Sequence, residues 1–131
     1  MMSETIQLAV CGLHMRGFSL NHQLTDLNAE FVSVANTAPV YKLYAIPTFP
    51  EKPGLVRCEE GGSSIEVEIF SLTYEALGKF LSMIPSPLGL GKIVLSDETS
   101  VIGFICEPYA LSDATDITSF RGWRYYRSSL K

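Results

Sequence analysis

The sequence predicts one α+β domain, spanning residues 1–131, in which a mixed β-sheet curls into a small barrel with flanking helices. The length suffices for one hydrophobic core but not for two. Apolar residues make up 47% of the chain and charged residues 18%, a composition that excludes a disordered protein. Segments with strand character follow one another with only two clear helices between them. This order disfavours a doubly wound parallel sheet, in which strands and helices alternate.

The first half of the chain is predicted to be mostly strand. Residues 5–11, TIQLAVC, are apolar at nearly every position from Ile6 onward, which suits a strand buried on both faces and ended by Gly12. A short helix follows, because four apolar residues spaced i, i+4, i+7, i+11 share one helical stripe. They are Leu20, Leu24, Leu27 and Phe31. Further strands are predicted at residues 31–35 and 41–46.

The second half contains a predicted hairpin, the clearest helix and two more strands. Residues 55–58 and 64–70 are predicted to pair around the turn Glu-Glu-Gly-Gly at 59–62. The helix at 73–84 begins with the cap Thr73 and is stopped by Pro85. Strands at 92–95 and 101–106 follow. The last segment, FRGWRYYR, is predicted to pack its aromatic residues on the domain while its arginines stay solvated.

Composition excludes several classes of function. The net charge of −4 argues against nucleic-acid binding despite the aromatic and basic residues of the last segment. No segment approaches the run of about 18 apolar residues that a membrane span needs, and no secretory leader is recognised, so a cytoplasmic location is expected. The three cysteines lack CxxC spacing, and free buried thiols are expected rather than a metal site or cofactor. They are Cys11, Cys58 and Cys106.

The candidate site is residues 12–24, GLHMRGFSLNHQL, which contain both histidines of the chain. A strand end, a loop bounded by Gly12 and Gly17, and a helix start bring several backbone N–H groups together, which is the outline of a site for a small anion. On the helix, His22 lies opposite the apolar stripe, where it could transfer a proton. The alternatives are a loop imidazole bonded to a carbonyl for His14 and a solvent-facing residue for His22.

Two carboxylates are weaker candidates. Glu66 and Glu68 alternate with apolar residues in SIEVEIF, so both lie on one face of the strand. That face is either a wet outer surface or, in a curled sheet, the lining of a cleft in which a carboxylate orients a histidine. A lyase that uses either carboxylate as its acid is a minor alternative.

Five segments in the same order resemble the C-terminal domain of allophanate hydrolase over essentially the whole chain. They are LAVCGLHMRGFSLNHQL, TAPVYKLYAIP, KPGLVRCEEGGSSIEVEIFSL, IPSPLGLGKIVLSDETSVIGFICEPYAL and DITSFRGWRYY. That domain is similar in turn to the gamma-glutamylcyclotransferase-like superfamily, whose first strand ends in a Y-G-T-L-x-x-G type loop. The resemblance implies a small mixed barrel with a ligand cavity at residues 12–17. True cyclotransferases carry an acid that residues 80–91 of this chain lack, which argues against their chemistry.

The resemblance implies that the chain decarboxylates N-carboxycarbamate, the second step of allophanate breakdown, beside a separate amidase. Backbone N–H groups of Gly12 to His14 would hold a carboxylate, and His22, preferred to His14, would supply the proton. The substrate-binding residues expected are Gly12, Leu13, Gly17, Asn21, Gln23, Tyr44 and Glu66. The alternative is a non-catalytic module that binds a small carboxylate or serves in assembly. A homodimer is also expected.

Overall fold

The computed structural model describes residues 4–130, which contain eight β-strands and three α-helices. The strands are β1 Thr5–Val10, β2 Glu30–Asn36, β3 Tyr41–Ile46, β4 Lys52–Arg57, β5 Glu66–Thr73, β6 Leu88–Val94, β7 Ser100–Cys106 and β8 Thr115–Asp116. The α-helices are α1 His22–Thr25, α2 Tyr74–Ser82 and α3 Trp123–Ser129. Short 3-10 turns occupy Pro108–Asp113 and Thr118–Phe120.

The strands form two sheets rather than a closed barrel. One sheet has five strands in the order β2-β5-β1-β7-β6, and the other has three in the order β4-β3-β8. Strand β1 pairs antiparallel with β5 and parallel with β7, so the larger sheet is mixed. Strands β4 and β7 lie against each other in separate sheets, and a Cβ on Gly54 would lie 3.1 Å from Cys106 Sγ. The α+β class is confirmed, and within residues 4–130 the predicted barrel is not closed.

The predicted hairpin of residues 55–58 and 64–70 is wrong. Strand β4 pairs with β3, whereas β5 pairs with β1 and β2. The cause is the apolar character of β5, which is buried along most of its length and therefore takes a central place between two strands. Residues 59–62 cross between the sheets. Gly62 is required in this crossing because a Cβ there would lie 2.7 Å from the Tyr41 backbone nitrogen.

Of the two predicted helices, α2 is confirmed and α1 is shorter than expected. Thr73 Oγ1 accepts the N–H of Ala76 at 3.0 Å, as the cap prediction requires, and the helix ends before Pro85. Helix α1 comprises a single turn, because Asn28 adopts φ 61° and redirects the chain into β2. Phe31 consequently lies in a strand rather than on the helical stripe.

Helix α3 packs onto the domain through Trp123, which is fully buried. This confirms the docking expected for that side chain. Two of the arginines form ion pairs rather than only facing solvent: Arg124 pairs with Glu68 at 3.2 Å and Arg127 pairs with Glu51 at 3.0 Å. The three cysteines are free, and Cys11 and Cys106 are buried as expected. Among residues 4–130 no helix has the length and apolar character that crossing a bilayer requires.

Candidate functional site

Residues 12–24 fold into a compact loop that follows β1. The N–H of Met15 donates to the Gly12 carbonyl at 3.0 Å, and the N–H of Leu20 donates to the Leu13 carbonyl at 3.0 Å. Asn21 Nδ2 donates to the His14 carbonyl at 2.8 Å. These bonds satisfy several carbonyls of the loop internally, so the loop is held in one shape.

A cavity of about 250 Å³ lies between this loop, the start of β4 and the residues that follow α2. Its polar lining is confined to one small group of side chains, namely Cys11, His14, Gln23 and Lys52. The remaining lining is the loop glycine together with apolar side chains: Gly12, Leu13, Leu20, Pro50, Pro53, Met83, Ile84, Pro85, Leu88 and Phe104. A cavity with a few polar groups and an otherwise apolar wall is typical of a small-molecule site.

Gly12 allows the two sides of the cavity to approach each other. A Cβ at this position would lie 2.1 Å from Pro53 Cγ, a distance that no side chain tolerates. The loop therefore contacts β4 directly through glycine backbone. Gly17 closes the same loop with φ +87°, in the left-handed region that favours glycine. Gly17 itself lines an adjoining open hollow of about 570 Å³, which shares Leu13 and Pro50 with the cavity.

His14 is held rigidly in the wall of the cavity. Its ring stacks on Phe104 with centroids 5.1 Å apart and meets the edge of Phe80 at 4.9 Å. Nε2 lies 2.8 Å from Gln23 Oε1, and since that oxygen only accepts, the ring proton is on Nε2. Within residues 4–130 Nδ1 has no hydrogen-bond partner, and it is not fully enclosed by protein atoms. It is therefore accessible to a molecule in the cavity.

Burial lowers the pKa of His14 below its ordinary value of 6.5. The hydrogen bond to Gln23 raises this pKa, and the nearby positive charges of His22 and Lys52 lower it. Burial is the dominant cause, because taking an imidazolium out of water costs more than the single hydrogen bond returns. The ring is therefore neutral at pH 7, with Nδ1 able to accept a proton.

Two residues of the cavity lining, Leu13 and His14, also have backbone N–H groups without a backbone acceptor within residues 4–130. The N–H groups at the start of the helix, in contrast, already have acceptors. The N–H of Gln23 donates to the Leu20 carbonyl, and the N–H of Leu24 donates to the Asn21 carbonyl. The prediction that helix-start donors hold an anion is wrong for these two, because α1 is a single turn whose N–H groups are bonded locally.

Lys52 is a site residue that the sequence analysis missed. It is the first residue of β4 and lines the cavity near His14. The sequence predicted that this strand begins at Leu55, which placed Lys52 in a proline-rich loop. The available signal was a lone lysine between Pro50 and Pro53, in a segment with strand character on both sides.

The structure brings His14 to the cavity but leaves His22 outside its lining. His22 is exposed, and its Nδ1 bonds the Ser19 carbonyl at 3.0 Å. This exposure agrees with the prediction that His22 lies opposite the apolar stripe, on which Leu24 is buried. Asn21 is not part of the lining either, and its Nδ2 donates to the His14 carbonyl.

The remaining candidates lie outside the cavity lining. Tyr44 is half-buried on β3, paired with Gly54 in the ladder. Glu66 accepts a hydrogen bond from the Tyr125 hydroxyl at 2.8 Å. Glu68 is buried rather than on a wet face, and it binds Arg16 and Arg124.

Residues 6–128 match the family model described as the allophanate hydrolase C-terminal domain. The chain is 40% identical over 134 residues to urea amidolyase of Saccharomyces cerevisiae, which covers 98% of this chain and 7% of that protein. Allophanate hydrolase of Kluyveromyces lactis superposes with a TM-score of 0.94 at 39% identity, covering 98% of this chain and 22% of that one.

A uropathogenic Escherichia coli-specific protein of similar length superposes with a TM-score of 0.90 at 34% identity, covering 95% of this chain and 97% of that chain. An aig2-like protein from Mus musculus, at 19% identity and a TM-score of 0.63, supports a likeness of fold alone. The chain thus spans 7% of its curated yeast relative, which is a far longer protein. The resemblance inferred from the five segments is confirmed.

Proposed function

We propose a function from the premise that this chain belongs to the allophanate hydrolase C-terminal domain family. The chain decarboxylates N-carboxycarbamate beside a separate amidase that produces it. One observation carries the proposal: His14 and the nearby Lys52 line a cavity whose lining is otherwise mostly apolar, next to a loop in which the N–H groups of Leu13 and His14 have no backbone acceptor in the described part of the chain.

The reaction requires a proton donor and a site that orients the substrate. N-carboxycarbamate has two carboxylates on one nitrogen. When one C–N bond breaks, CO2 leaves, the electron pair of that bond passes to nitrogen, and nitrogen takes up one proton to give carbamate. A site that orients the dianion and supplies that proton lowers the barrier.

The retained carboxylate is bound beside Lys52 and His14, two of the polar residues of the lining. The Lys52 ammonium provides charge, and the N–H groups of Leu13 and His14 provide directed hydrogen bonds. These backbone donors are fixed by the loop before substrate arrives, so their orientation costs little on binding.

The proton passes through His14. The ring is neutral in the free protein, but a dianion in the cavity raises its pKa, because a nearby negative charge favours the imidazolium. Nδ1 then carries a proton beside the substrate nitrogen, while the Gln23 bond to Nε2 and the stacked Phe104 ring keep the imidazole oriented.

The apolar wall favours loss of CO2. A carboxylate placed against Ile84, Leu88 and Phe104 loses its hydration, whereas the departing CO2 is neutral and needs none. The wall therefore disfavours the bound carboxylate more than the transition state, in which the charge has moved towards nitrogen.

The second candidate is a module that binds a small carboxylate without catalysis. The lowered pKa of His14 favours it, since a neutral ring protonated on Nε2 has no proton on Nδ1 to deliver to a ligand. A cavity plugged by Met15 or Phe18 would also favour it. Met15 is buried in the core and Phe18 lines the adjoining hollow, so neither side chain is part of the cavity lining.

The test supplies allophanate to an amidase domain that lacks its own C-terminal domain and follows CO2 release after this protein is added. Acceleration by the wild type, loss of that acceleration in His14→Gln and its retention in His22→Gln are expected. An unchanged spontaneous rate with the wild type rejects the decarboxylase. Binding of malonate, a dicarboxylate of the same length, under those conditions then supports the binding module.

A further inference from the structure

We propose that the C-terminal helix α3 positions both sides of the cavity, with Arg124 and Glu68 holding the loop that carries His14 and Glu51 holding the segment that carries Lys52. This inference goes beyond the proposed function, because it applies to any ligand of the cavity. None of these three residues lines the cavity itself.

Glu68 on β5 holds the loop from beneath. Its side chain is 3% exposed, and its Oε1 accepts the backbone N–H of Arg16 at 2.8 Å. Its Oε2 accepts Nη2 of Arg16 and Nη2 of Arg124, each at 3.2 Å. A buried carboxylate of this kind is stable only with such partners, which makes the three groups one unit.

Arg124 on α3 holds the same loop residue from the other side. Its Nη2 also donates to the Arg16 carbonyl at 2.9 Å. Both backbone groups of Arg16 are therefore bonded to side chains outside the loop, whereas the neighbouring loop bonds are internal. Arg16 lies two residues after His14, so these bonds anchor the histidine loop to β5 and α3.

A second set of contacts reaches the opposite side of the cavity. Glu51 accepts the Tyr126 hydroxyl at 3.0 Å and Nη1 of Arg127 at 3.0 Å. Glu51 lies between Pro50 and Lys52, which both line the cavity. Since buried Trp123 fixes the start of α3, one helix spans the two loops and sets the distance between them.

The first experiment measures amide hydrogen exchange in Arg124→Met, which keeps the apolar stem but removes the bonds to Glu68 and Arg16. We expect the amides of Met15 and Leu20 to exchange about tenfold faster, because losing one charge-assisted hydrogen bond suffices for such a change. Arg124→Lys keeps the positive charge but replaces the guanidinium, which donates from several nitrogens, by a single ammonium group. We expect it to restore part of the protection against exchange.

Arg121→Met is the matched control, since it removes an exposed arginine just before α3 and should leave both amides unchanged. Equal exchange in wild type and Arg124→Met overturns the proposal for the loop. Equal acceleration at amides throughout the sheet overturns it as well, since that pattern reports a general loss of stability.

The second experiment follows the imidazole of His14 by NMR titration in Glu51→Gln. Removing a negative charge by itself lowers a histidine pKa. Release of the segment that carries Lys52 moves a positive charge away and raises it. We expect a rise, and a fall or no change overturns the proposal for this side. Neither experiment uses substrate, so both outcomes are independent of whether the protein decarboxylates.

Discussion

The Nε2 atom of His14 lies 2.8 Å from Oε1 of Gln23, and this bond selects which ring nitrogen faces the cavity. With the proton on Nε2, the unpaired Nδ1 is the atom a ligand meets. Gln23 thus determines the tautomer of His14, as carboxylates and carbonyls do for other functional histidines.

Gln23→Leu should lower the pKa of His14 further. The bond to Oε1 favours the protonated ring, so its loss leaves the lowering by burial unopposed. An NMR titration of the ring measures the change, and decarboxylation should weaken with it. Gln7→Leu, at an exposed position of β1, is the control and should leave the titration as in the wild type. A higher pKa in Gln23→Leu would refute the role given to the bond.

Stability should depend on pH through His14. Its folded pKa lies below its unfolded value of 6.5, so below pH 6.5 the unfolded chain binds more protons and stability falls. The stability that the neutral ring of His14 contributes is fully present above pH 6.5, and it is lost as the pH falls towards the folded pKa. Comparing Tm at pH 7.5 and 5.5 tests this. The decrease should be smaller in His14→Gln, and equal decreases in the two proteins would contradict it.

Gly12→Ala should destabilise the fold by about 1–3 kcal/mol, the usual cost of an overpacked site. The new methyl group would lie 2.1 Å from Pro53 Cγ, so the loop or β4 must shift. Urea unfolding measures the loss, and Pro53→Ala in the same chain should recover part of it. Gly78→Ala is the control, because its Cβ meets nothing within 4 Å and alanine favours the helix. A neutral Gly12→Ala would show that this contact is not tight.

Lys52→Met should weaken malonate binding by about tenfold or more, the loss typical when a charged partner of a carboxylate is removed. It should also raise the pKa of His14, because the ammonium of Lys52 lowers it. Calorimetry and NMR titration measure the two effects. Lys92→Met removes an exposed lysine of β6 and should change neither. Malonate affinity equal to that of the wild type would remove Lys52 from the site.

The elements that the sequence predicted correctly are those with local causes. Helix α2 follows from its capping threonine and its proline stop, and β1 from its continuous apolar run. Strand pairing has no such local cause. The turn at 59–62 looked like a hairpin, but β5 pairs with β1 and β2 because its apolar residues need cover on both faces.

The same distinction between local and tertiary causes applies to the residues of the site. The sequence by itself determined the family, the class of elements and the loop at residues 12–17, since these depend on residue order and local backbone preference. Only the tertiary structure decided that His14 and not His22 lines the cavity, that Lys52 joins it, and that Glu68 is buried between two arginines. The physical reason is that burial and charge pairing depend on which distant strands and helices meet, and that meeting is a property of the packed core.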